Sequence, residues 1–333
     1  MSATHEDVVR AAHRIDGRVR RTPLAGSATL DAFLGHRVRF KCECLQKVGA
    51  FKARGALNAL LARAERGEPV GSVVAFSSGN HAQAVAWAAR LLGVRATIVM
   101  PANVSEVKRI ATAAYGAEVV LAPDRGAAEA EAARRAARGA TLIPPFDDDD
   151  VLAGQGTACL EALQDGAVPD AIFVPCGGGG LLSGTYLAAR GTALVYGAEP
   201  VAANDAARSY RDGHIFRFES APVTVADGVQ TLSLSERTFA HVRRTAGIYE
   251  IPEDDIAYWT QWLTHLLKLT VEPTAALGMA AAHRWLSARP APSTALVILS
   301  GGNLSAATRA RVWDRERLGE PPRPVESGHL GGR

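Results

Sequence analysis

Cysteine is scarce in this sequence of 333 residues, and so are long apolar runs and any excess of one charge. The four cysteines, Cys42, Cys44, Cys159 and Cys176, have the spacing of neither a disulfide framework nor a zinc site, which favours a reducing cytoplasm. No uncharged run reaches the roughly 18 residues of a membrane span, and the first residues lack the apolar centre of a secretory signal. A net charge of +3 without a basic block disfavours nucleic-acid or membrane-surface binding.

Short apolar runs alternate with helical patterns along most of the chain. VVAF, ATIVMP, EVVLA and TLIPP form one set between residues 73 and 145, and AIFVPC, LVYGAEP and ALVILS form a second set. This rhythm is typical of parallel βαβ units. The sequence therefore predicts an α/β protein with two open, twisted, mostly parallel sheets and helices on both faces of each.

The two sets of strands also predict two domains. We expect residues 72–149 to form a small mobile domain, and residues 1–71 with 150–333 to form a large one. The run FDDDDV at residues 146–151 is interpreted as a solvated hinge between them. The tail from about residue 319, rich in proline and glycine, is predicted to be disordered.

Glycine-rich and polar turns follow three of the predicted strands, at the edge where open α/β sheets bind ligands. CGGGGLLSG places four glycines between a strand and a helix, where backbone N–H groups can converge on a phosphate. Tight packing alone is the alternative. The turn has neither the nucleoside-triphosphate P-loop pattern nor GxGxxG, which disfavours a nicotinamide dehydrogenase. The four glycines are Gly177, Gly178, Gly179 and Gly180.

The turn SSGNH offers more hydrogen-bond donors than a helix cap requires. Serine and asparagine are preferred N-caps, but a cap needs one such residue. The surplus donors suit a bound carboxylate or a cofactor ring oxygen. The residues are Ser77, Ser78, Gly79, Asn80 and His81.

One lysine, Lys52, follows Gly-Ala-Phe in KVGAFKARGALNAL, in a chain where arginine supplies nearly all of the 37 Lys+Arg. It is either an ordinary surface charge or a residue kept for its nitrogen. With SSGNH, GGGGLLSG and a late SGGN in the same order, the sequence resembles the fold-type II pyridoxal-phosphate enzymes. It is most similar to the branch of serine racemase and the serine, threonine and threo-3-hydroxyaspartate dehydratases. KCECLQKVGAFKARGALNAL, VLAGQGTACLEAL, TVADGVQT and VEPTAALGMAA extend the likeness over residues 21–304.

This resemblance implies how the cofactor, pyridoxal 5′-phosphate, is held. Lys52 would join it as an imine, which requires an amine that can be neutral. Phe51 would pack against the ring face, and Asn80 would donate to the ring 3′ oxygen. The glycine turn and the N–H of Leu181 would bind the phosphate, and Ser300 would face the pyridine nitrogen.

The resemblance also implies a reaction, the elimination of water from serine, threonine or 3-hydroxyaspartate to give a keto acid and ammonia. Lys52 would remove the Cα proton, and the turn at residues 77–81 would bind the substrate carboxylate. Ser78 matches the serine that exchanges a proton in the racemases, so serine racemisation is an alternative. A non-catalytic small-molecule-binding protein on the same fold is the alternative from another class. The related enzymes imply a homodimer.

A divalent cation is the second expected cofactor. Glu199 and Asp205 flank a short loop after LVYGAEP, and carboxylates of this kind suit magnesium, calcium or manganese unless they are merely solvated charges. The resemblance implies a site of Glu199, Asp205 and the carbonyl of Ala203.

One departure from the related enzymes leaves the substrate open. They carry an arginine near the pocket where this sequence has Ala128 and Glu129. Arg125 lies close by, and whether it or a later arginine binds a second substrate carboxylate is undecided.

Overall fold

Strands and helices alternate along the chain, as the sequence predicts. The computed structural model describes residues 2–104 and 106–323. Its strands are β1 Leu24–Ala25, β2 Arg37–Cys42, β3 Ser72–Phe76, β4 Arg95–Pro101, β5 Glu118–Ala122, β6 Thr141–Leu142, β7 Ala171–Pro175, β8 Leu194–Pro200, β9 Gly247–Ile251 and β10 Thr294–Leu299. Its α-helices are α1 His5–Ile15, α2 Ala28–Leu34, α3 Lys52–Glu65, α4 Asn80–Leu91, α5 Glu106–Ala114, α6 Arg125–Ala137, α7 Asp149–Gln164, α8 Gly180–Ala189, α9 Asp205–Asp212, α10 Glu236–Val242, α11 Glu253–Leu267, α12 Pro273–Ser287 and α13 Ala306–Val312.

The strands form two sheets. The six-stranded sheet has the order β1-β2-β10-β7-β8-β9, and the four-stranded sheet has the order β5-β4-β3-β6. All neighbouring strands are parallel except β1 and β2. The prediction of two mostly parallel sheets is confirmed, although β1, β2 and β9 were not among the predicted strands.

Helices cover both faces of the six-stranded sheet. Side chains alternate across a strand, so neighbouring residues pack on opposite faces. Phe173 and Val297 are buried in one hydrophobic cluster with α11 and α12. Ile172 and Ile298 are buried in another with α1, α7 and α8. This arrangement explains why the central strands read as continuous apolar runs.

The four-stranded sheet, built from residues 72–142, is covered in the same way. Val73 and Ile98 pack with α4, and Val74 and Val99 pack with α6. The cluster on the α4 side also contains α3. Helix α3 therefore lies between the two sheets, and Lys52 is its first residue.

The aspartates of FDDDDV, which the sequence predicts to be a solvated hinge between the domains, lead into the helix α7. Asp148 caps α7 by accepting a hydrogen bond from the N–H of Val151, a favourable position for an acidic residue. Asp148 and Asp150 also form ion pairs of 2.8 and 3.0 Å with Arg63 and Arg66.

The prediction of a disordered tail is wrong for its first residues. Tyr258 Oη donates to the carbonyl of Glu320 at 2.8 Å, and His283 Nε2 donates to that of Arg323 at 2.6 Å. Residues 324–333 of the predicted tail lie outside the described residues. Among the helices that the structure describes, none has the length and apolar character to cross a membrane.

Candidate active site

A cavity of about 720 Å³ opens at the carboxyl ends of β3, β7 and β10. The turns that follow these strands line it together with the start of α3. The structure thus brings together residues that are distant from one another in the chain. The predicted residues on its wall are Phe51, Lys52, Ser77, Ser78, Gly79, Asn80, His81, Gly177, Gly178, Gly179, Gly180, Leu181 and Ser300.

Lys52 presents its amine to this cavity. Its Nζ donates to the carbonyl of Pro145 at 2.6 Å and lies 5.1 Å from the centroid of the Phe51 ring. Burial lowers the pKa of Lys52 to about 8, because the charged ammonium is poorly solvated there. The amine is therefore far closer to its neutral, nucleophilic form at neutral pH than an exposed lysine is.

The turn after β10 holds the start of α3 in place. The N–H of Phe51 donates to the carbonyl of Ser300 at 3.0 Å, and Ala50 forms an isolated antiparallel bridge with Gly301. The N–H of Gly302 donates to the carbonyl of Gly49 at 3.0 Å. These backbone bonds fix Lys52 relative to Ser300.

A buried ion-pair network lies in the core behind Lys52. Arg54 pairs with Glu43 and with Glu161, each at 2.7 Å, and Lys41 pairs with Glu161 at 2.8 Å. All four side chains are buried. Removing one partner would leave an uncompensated charge in the core, so this network fixes the first turn of α3 against α7 and β2.

The glycine turn has no room for side chains. A Cβ on Gly178 would lie 2.1 Å from the Phe146 ring, and one on Gly179, whose φ is +82°, would lie 2.9 Å from Leu234. Gly179 is the N-cap of α8 and supplies no side-chain cap. Among the described residues, the first N–H groups of α8 therefore have no side-chain acceptor, and they can bind an anion.

The SSGNH turn also begins a helix without a side-chain cap. Gly79 is the N-cap of α4, and Ser77 Oγ accepts a hydrogen bond from its N–H at 3.2 Å instead of capping the helix. Serine capping of α4, the simpler interpretation of this turn, is therefore wrong. The first N–H groups of α4 lie on the cavity wall, where a carboxylate would be favoured.

His81 is the most buried residue of this turn. Its Nε2 donates to the carbonyl of Ile143 at 2.8 Å. Burial, with the nearby charge of Lys52, lowers the pKa of His81 to about 3, so the ring is neutral. Its side chain is thus anchored to the sheet, and its backbone N–H belongs to the first turn of α4.

Ser300 has a buried hydroxyl group that meets no hydrogen-bond partner among the described residues. A buried polar group without a partner is costly, so this hydroxyl at the cavity wall is a candidate to bind a ligand. Ser300 follows the strand β10 directly and lies on the cavity wall. Its hydroxyl can donate to or accept from a ring nitrogen.

Two residues that sequence reasoning missed surround Asn80. Asn80 Nδ2 donates to both carboxylate oxygens of Glu272, at 3.1 and 3.2 Å, and Asn80 Oδ1 accepts from Asn303 Nδ2 at 2.7 Å. Burial, with the nearby charge of Asp227, raises the pKa of Glu272 to about 7. VEPTAALGMAA contains Glu272, but a single acidic residue before a helix gives no signal of such a role.

Two cations from the four-stranded side reach the cavity wall. Lys108 forms a 2.8 Å ion pair with Asp227, and Arg125 donates to the carbonyl of Gln230 at 2.8 Å. Ala128 lines the same wall. Lys108 was not among the predicted residues, because an isolated lysine on a helix usually signals an exposed face.

The predicted cation ligands lie together outside this cavity. Glu199, Ala203 and Asp205 are fully buried, and both carboxylate oxygens of Asp205 lack a partner in the described part of the chain. Burial and the charge of Asp205 raise the pKa of Glu199 well above its usual range, and burial raises that of Asp205 to about 7. Across residues 2–104 and 106–323, no group of three or more His, Cys, Asp or Glu side chains could hold a metal.

Comparison with known proteins agrees with the geometry. A family described as pyridoxal-phosphate dependent enzyme matches residues 15–301. The L-threo-3-hydroxyaspartate ammonia-lyase of a Pseudomonas species is 44% identical over 91% of this chain and 96% of that protein. The serine racemase of Schizosaccharomyces pombe is 42% identical over 90% and 94%. The solved structure of maize serine racemase has a TM-score of 0.87 at 35% identity, covering 94% of this chain and 98% of that one. The chain belongs to the family of pyridoxal-phosphate-dependent enzymes.

Proposed function

We propose that this protein is an ammonia-lyase that eliminates water from a β-hydroxy amino acid and releases a keto acid and ammonia. It is a pyridoxal-phosphate-dependent enzyme, a lyase or a racemase, as its relatives are. The observation that carries the proposal is the amine of Lys52, which has a lowered pKa and shares one cavity with the glycine turn and Ser300.

The residues on the cavity wall fit the cofactor. The Ser300 hydroxyl, which meets no partner among the described residues, suits the ring nitrogen. The glycine turn has no room for side chains, so its backbone N–H groups can approach an anion directly. We assign Phe51 to the ring face, Asn80 to the ring oxygen, and the N–H of Leu181 to the phosphate.

Lys52 would then serve as attachment point and as base. When bound, the cofactor withdraws electrons from the substrate Cα and so acidifies its proton. A neutral Lys52 amine can accept that proton, and the carbonyl of Pro145 holds the nitrogen in the cavity. We assign the substrate carboxylate to the first turn of α4, formed by residues 77–81.

Among β-hydroxy amino acids, 3-hydroxyaspartate is the substrate that we favour. Its second carboxylate needs a cation, and Lys108 and Arg125 stand on the wall of the cavity. Their partners, Asp227 and the Gln230 carbonyl, are acceptors that a substrate carboxylate could replace. The later arginines Arg134 and Arg135 pair with Glu131 on the same helix and do not line the cavity.

A substrate panel tests this function. Purified enzyme with cofactor is given L-serine, D-serine, L-threonine and the 3-hydroxyaspartates, and both keto acid and inverted amino acid are measured. We expect keto acid, fastest from a 3-hydroxyaspartate. Lys52→Ala should abolish turnover, and Lys47→Ala, which changes a lysine outside the cavity, should not. If the purified protein shows no visible cofactor absorbance, a non-catalytic binding protein is favoured. Full activity of Lys52→Ala would contradict the role of Lys52 as attachment point and base.

Serine racemisation is the second candidate. Ser78 lies on the wall that also carries Lys52, and one relative is a serine racemase. A hydroxyl on the other side of Cα could return a proton there. The enzyme could thus catalyse racemisation alone or beside dehydration.

We also propose that Glu199, Asp205 and the Ala203 carbonyl bind a divalent cation, either magnesium, calcium or manganese. Two buried carboxylates, one without any partner in the described residues, are costly unless a positive charge compensates them. Oxygen ligands of this kind suit hard cations. The cation would stabilise the side of the fold next to the glycine turn.

The architecture suggests a moving small domain. We propose that residues 72–149 close over the cavity, since Lys108 and Arg125 contact the loop around Asp227 and Gln230 from that side. We further propose a homodimer, as in the implied family branch, and a cytoplasmic location, in keeping with the four free thiols. Light scattering that gives a monomer at every concentration would exclude the dimer.

A further inference from the structure

Glu272 is a buried carboxylate on the cavity wall, only 3% exposed. In the described part of the chain, its side chain accepts hydrogen bonds from two other residues of that wall, Asn80 and Asn303. Its two oxygens accept from Asn80 Nδ2 at 3.1 and 3.2 Å, and Oε2 also accepts from the N–H of Asn303 at 3.2 Å. Glu272 is the N-cap residue of α12, but its side chain makes no cap hydrogen bond. The carboxylate is therefore not used to begin the helix.

The Asn80 amide is held from both ends. Its nitrogen faces the Glu272 carboxylate, and its oxygen accepts from Asn303 Nδ2 at 2.7 Å. Asn303 Nδ2 in turn donates to the carbonyl of Val48 at 2.8 Å, which fixes the orientation of Asn303. A flipped Asn80 amide would set its oxygen against a carboxylate and its nitrogen against a donor. Only one orientation satisfies every group.

This orientation leaves one donor for the cavity. An amide nitrogen carries two hydrogens, and Glu272 needs only one of them. The bonds also join the two sheets, because Asn80 begins α4 over the four-stranded sheet, whereas Glu272 and Asn303 adjoin β10 of the other.

We propose that Glu272 and Asn303 are positioning residues that hold the Asn80 amide with its nitrogen toward the cavity, so that it donates to an anionic ring oxygen of the bound cofactor. This inference rests on the proposed function, in which Asn80 contacts that oxygen. A hydrogen bond to an anion favours the anion. Losing the donor should therefore raise the pH at which the bound cofactor loses its proton.

Glu272→Gln tests the proposal, because glutamine has one acceptor for the two donors at this position. Its amide nitrogen would face Asn80 and favour the flipped Asn80 amide. Loss of the Asn80 donor should raise the pH midpoint of the visible absorbance of the holoenzyme by on the order of one pH unit, whereas loss of the Glu272 charge by itself would lower that midpoint. We also expect a lower melting temperature. Lys52 is unchanged, so cofactor attachment itself should remain.

A double-mutant cycle separates positioning from charge and packing. Glu272→Gln is compared in the parent and in Asn80→Ala, which removes the amide. The lost charge of Glu272 acts in both backgrounds, whereas the lost orientation acts only where Asn80 is present. We expect Glu272→Gln to raise the absorbance midpoint by on the order of one pH unit more in the parent than in Asn80→Ala. Asn303→Ala, which changes no charge, serves in the same cycle if Glu272→Gln alone fails to fold.

The outcomes distinguish this inference from the proposed function. If the parent protein takes up no cofactor, the proposed function itself fails. If the parent takes up the cofactor and Glu272→Gln shifts the midpoint equally with and without the Asn80 amide, the function stands and the positioning role of Glu272 is wrong. A lower melting temperature of Glu272→Gln without that difference in midpoint would mean that Glu272 only packs the wall. An unchanged midpoint in Asn80→Ala would instead contradict the contact between Asn80 and the ring oxygen.

Discussion

The amine of Lys52 donates to the carbonyl of Pro145, which lies 93 residues later and just after the last strand of the four-stranded sheet. A carbonyl can accept a hydrogen bond from a neutral amine as well as from an ammonium ion. It therefore fixes the nitrogen without supplying the negative charge that would keep it protonated. Burial can then lower the pKa of Lys52 unopposed.

The first prediction concerns stability of the cofactor-free protein against pH. The pKa of Lys52 falls from 10.5 to about 8 on folding, so between these values the unfolded chain binds more protons than the folded one. Stability therefore rises with pH across this window, by up to about 3 kcal/mol. We expect the free energy of unfolding of the parent, relative to Lys52→Met, to increase from pH 8 to 10.5. If the free energies of unfolding of the parent and of Lys52→Met change with pH in parallel, the Lys52 amine is not desolvated in the folded protein.

A second prediction concerns the glycine turn. Gly178→Ala should cost about 1–3 kcal/mol of stability, as overpacking does, because the new Cβ would meet the Phe146 ring at 2.1 Å. It should also weaken cofactor binding, measured by calorimetry. Gly71→Ala is the matched control, since a Cβ there meets nothing within 4 Å. If Gly178→Ala and Gly71→Ala bind the cofactor with equal affinity, the glycine turn does not bind the cofactor phosphate.

The strands, the turns and Lys52 could be predicted because their signals are local. VVAF, AIFVP and ALVIL each combine an apolar run with a characteristic turn within about ten residues of sequence, the scale on which periodicity is informative. β2 was missed because RVRFKC places arginines among its apolar residues. The start of α7 was missed because four consecutive aspartates look like solvent-exposed charge.

Glu272 and Lys108 could not be predicted for a different reason. Glu272 acts through Asn80, 192 positions away, and Lys108 meets Asp227, 119 positions away. Their environment exists only after both sheets have formed. A pattern within one stretch of sequence contains no information about such a partner.

The third prediction separates racemisation from dehydration. Racemisation needs a proton donor on the face of Cα opposite Lys52, whereas elimination from an L-substrate needs only Lys52. Ser78→Ala should lower D-serine formation by roughly 10²–10⁴-fold and dehydration of an L-substrate far less. Ser77→Ala is the control, because Ser77 Oγ accepts from Gly79 N–H and supports the turn. We expect Ser77→Ala to lower racemisation and dehydration by the same factor. If Ser78→Ala also lowers both rates by the same factor, Ser78 positions the substrate and does not transfer a proton.

The fourth prediction concerns the cation. Chelation should lower the melting temperature of the parent, and magnesium, calcium or manganese should restore it, with about 2.7 kcal/mol gained at a hundred times the Kd. Asp205→Asn should not respond. In chelator it should equal or exceed the parent in stability, because it removes repulsion between two buried carboxylates. Asp212→Asn, at the exposed end of the same helix, should behave like the parent. If neither the chelator nor the added cations change the melting temperature of the parent, the cation site is excluded.

The ion pairs behind Lys52 also constrain the order of events during folding. Arg54 and Glu161 are 107 residues apart, Lys41 and Glu161 are 120 apart, and the whole four-stranded sheet lies between them. Burying any of these charges alone costs several kcal/mol, so we expect them to lose their water together. That step must wait until the chain has closed a long loop around the small sheet. A nascent chain that ends before residue 161 therefore cannot complete the buried ion-pair network behind Lys52.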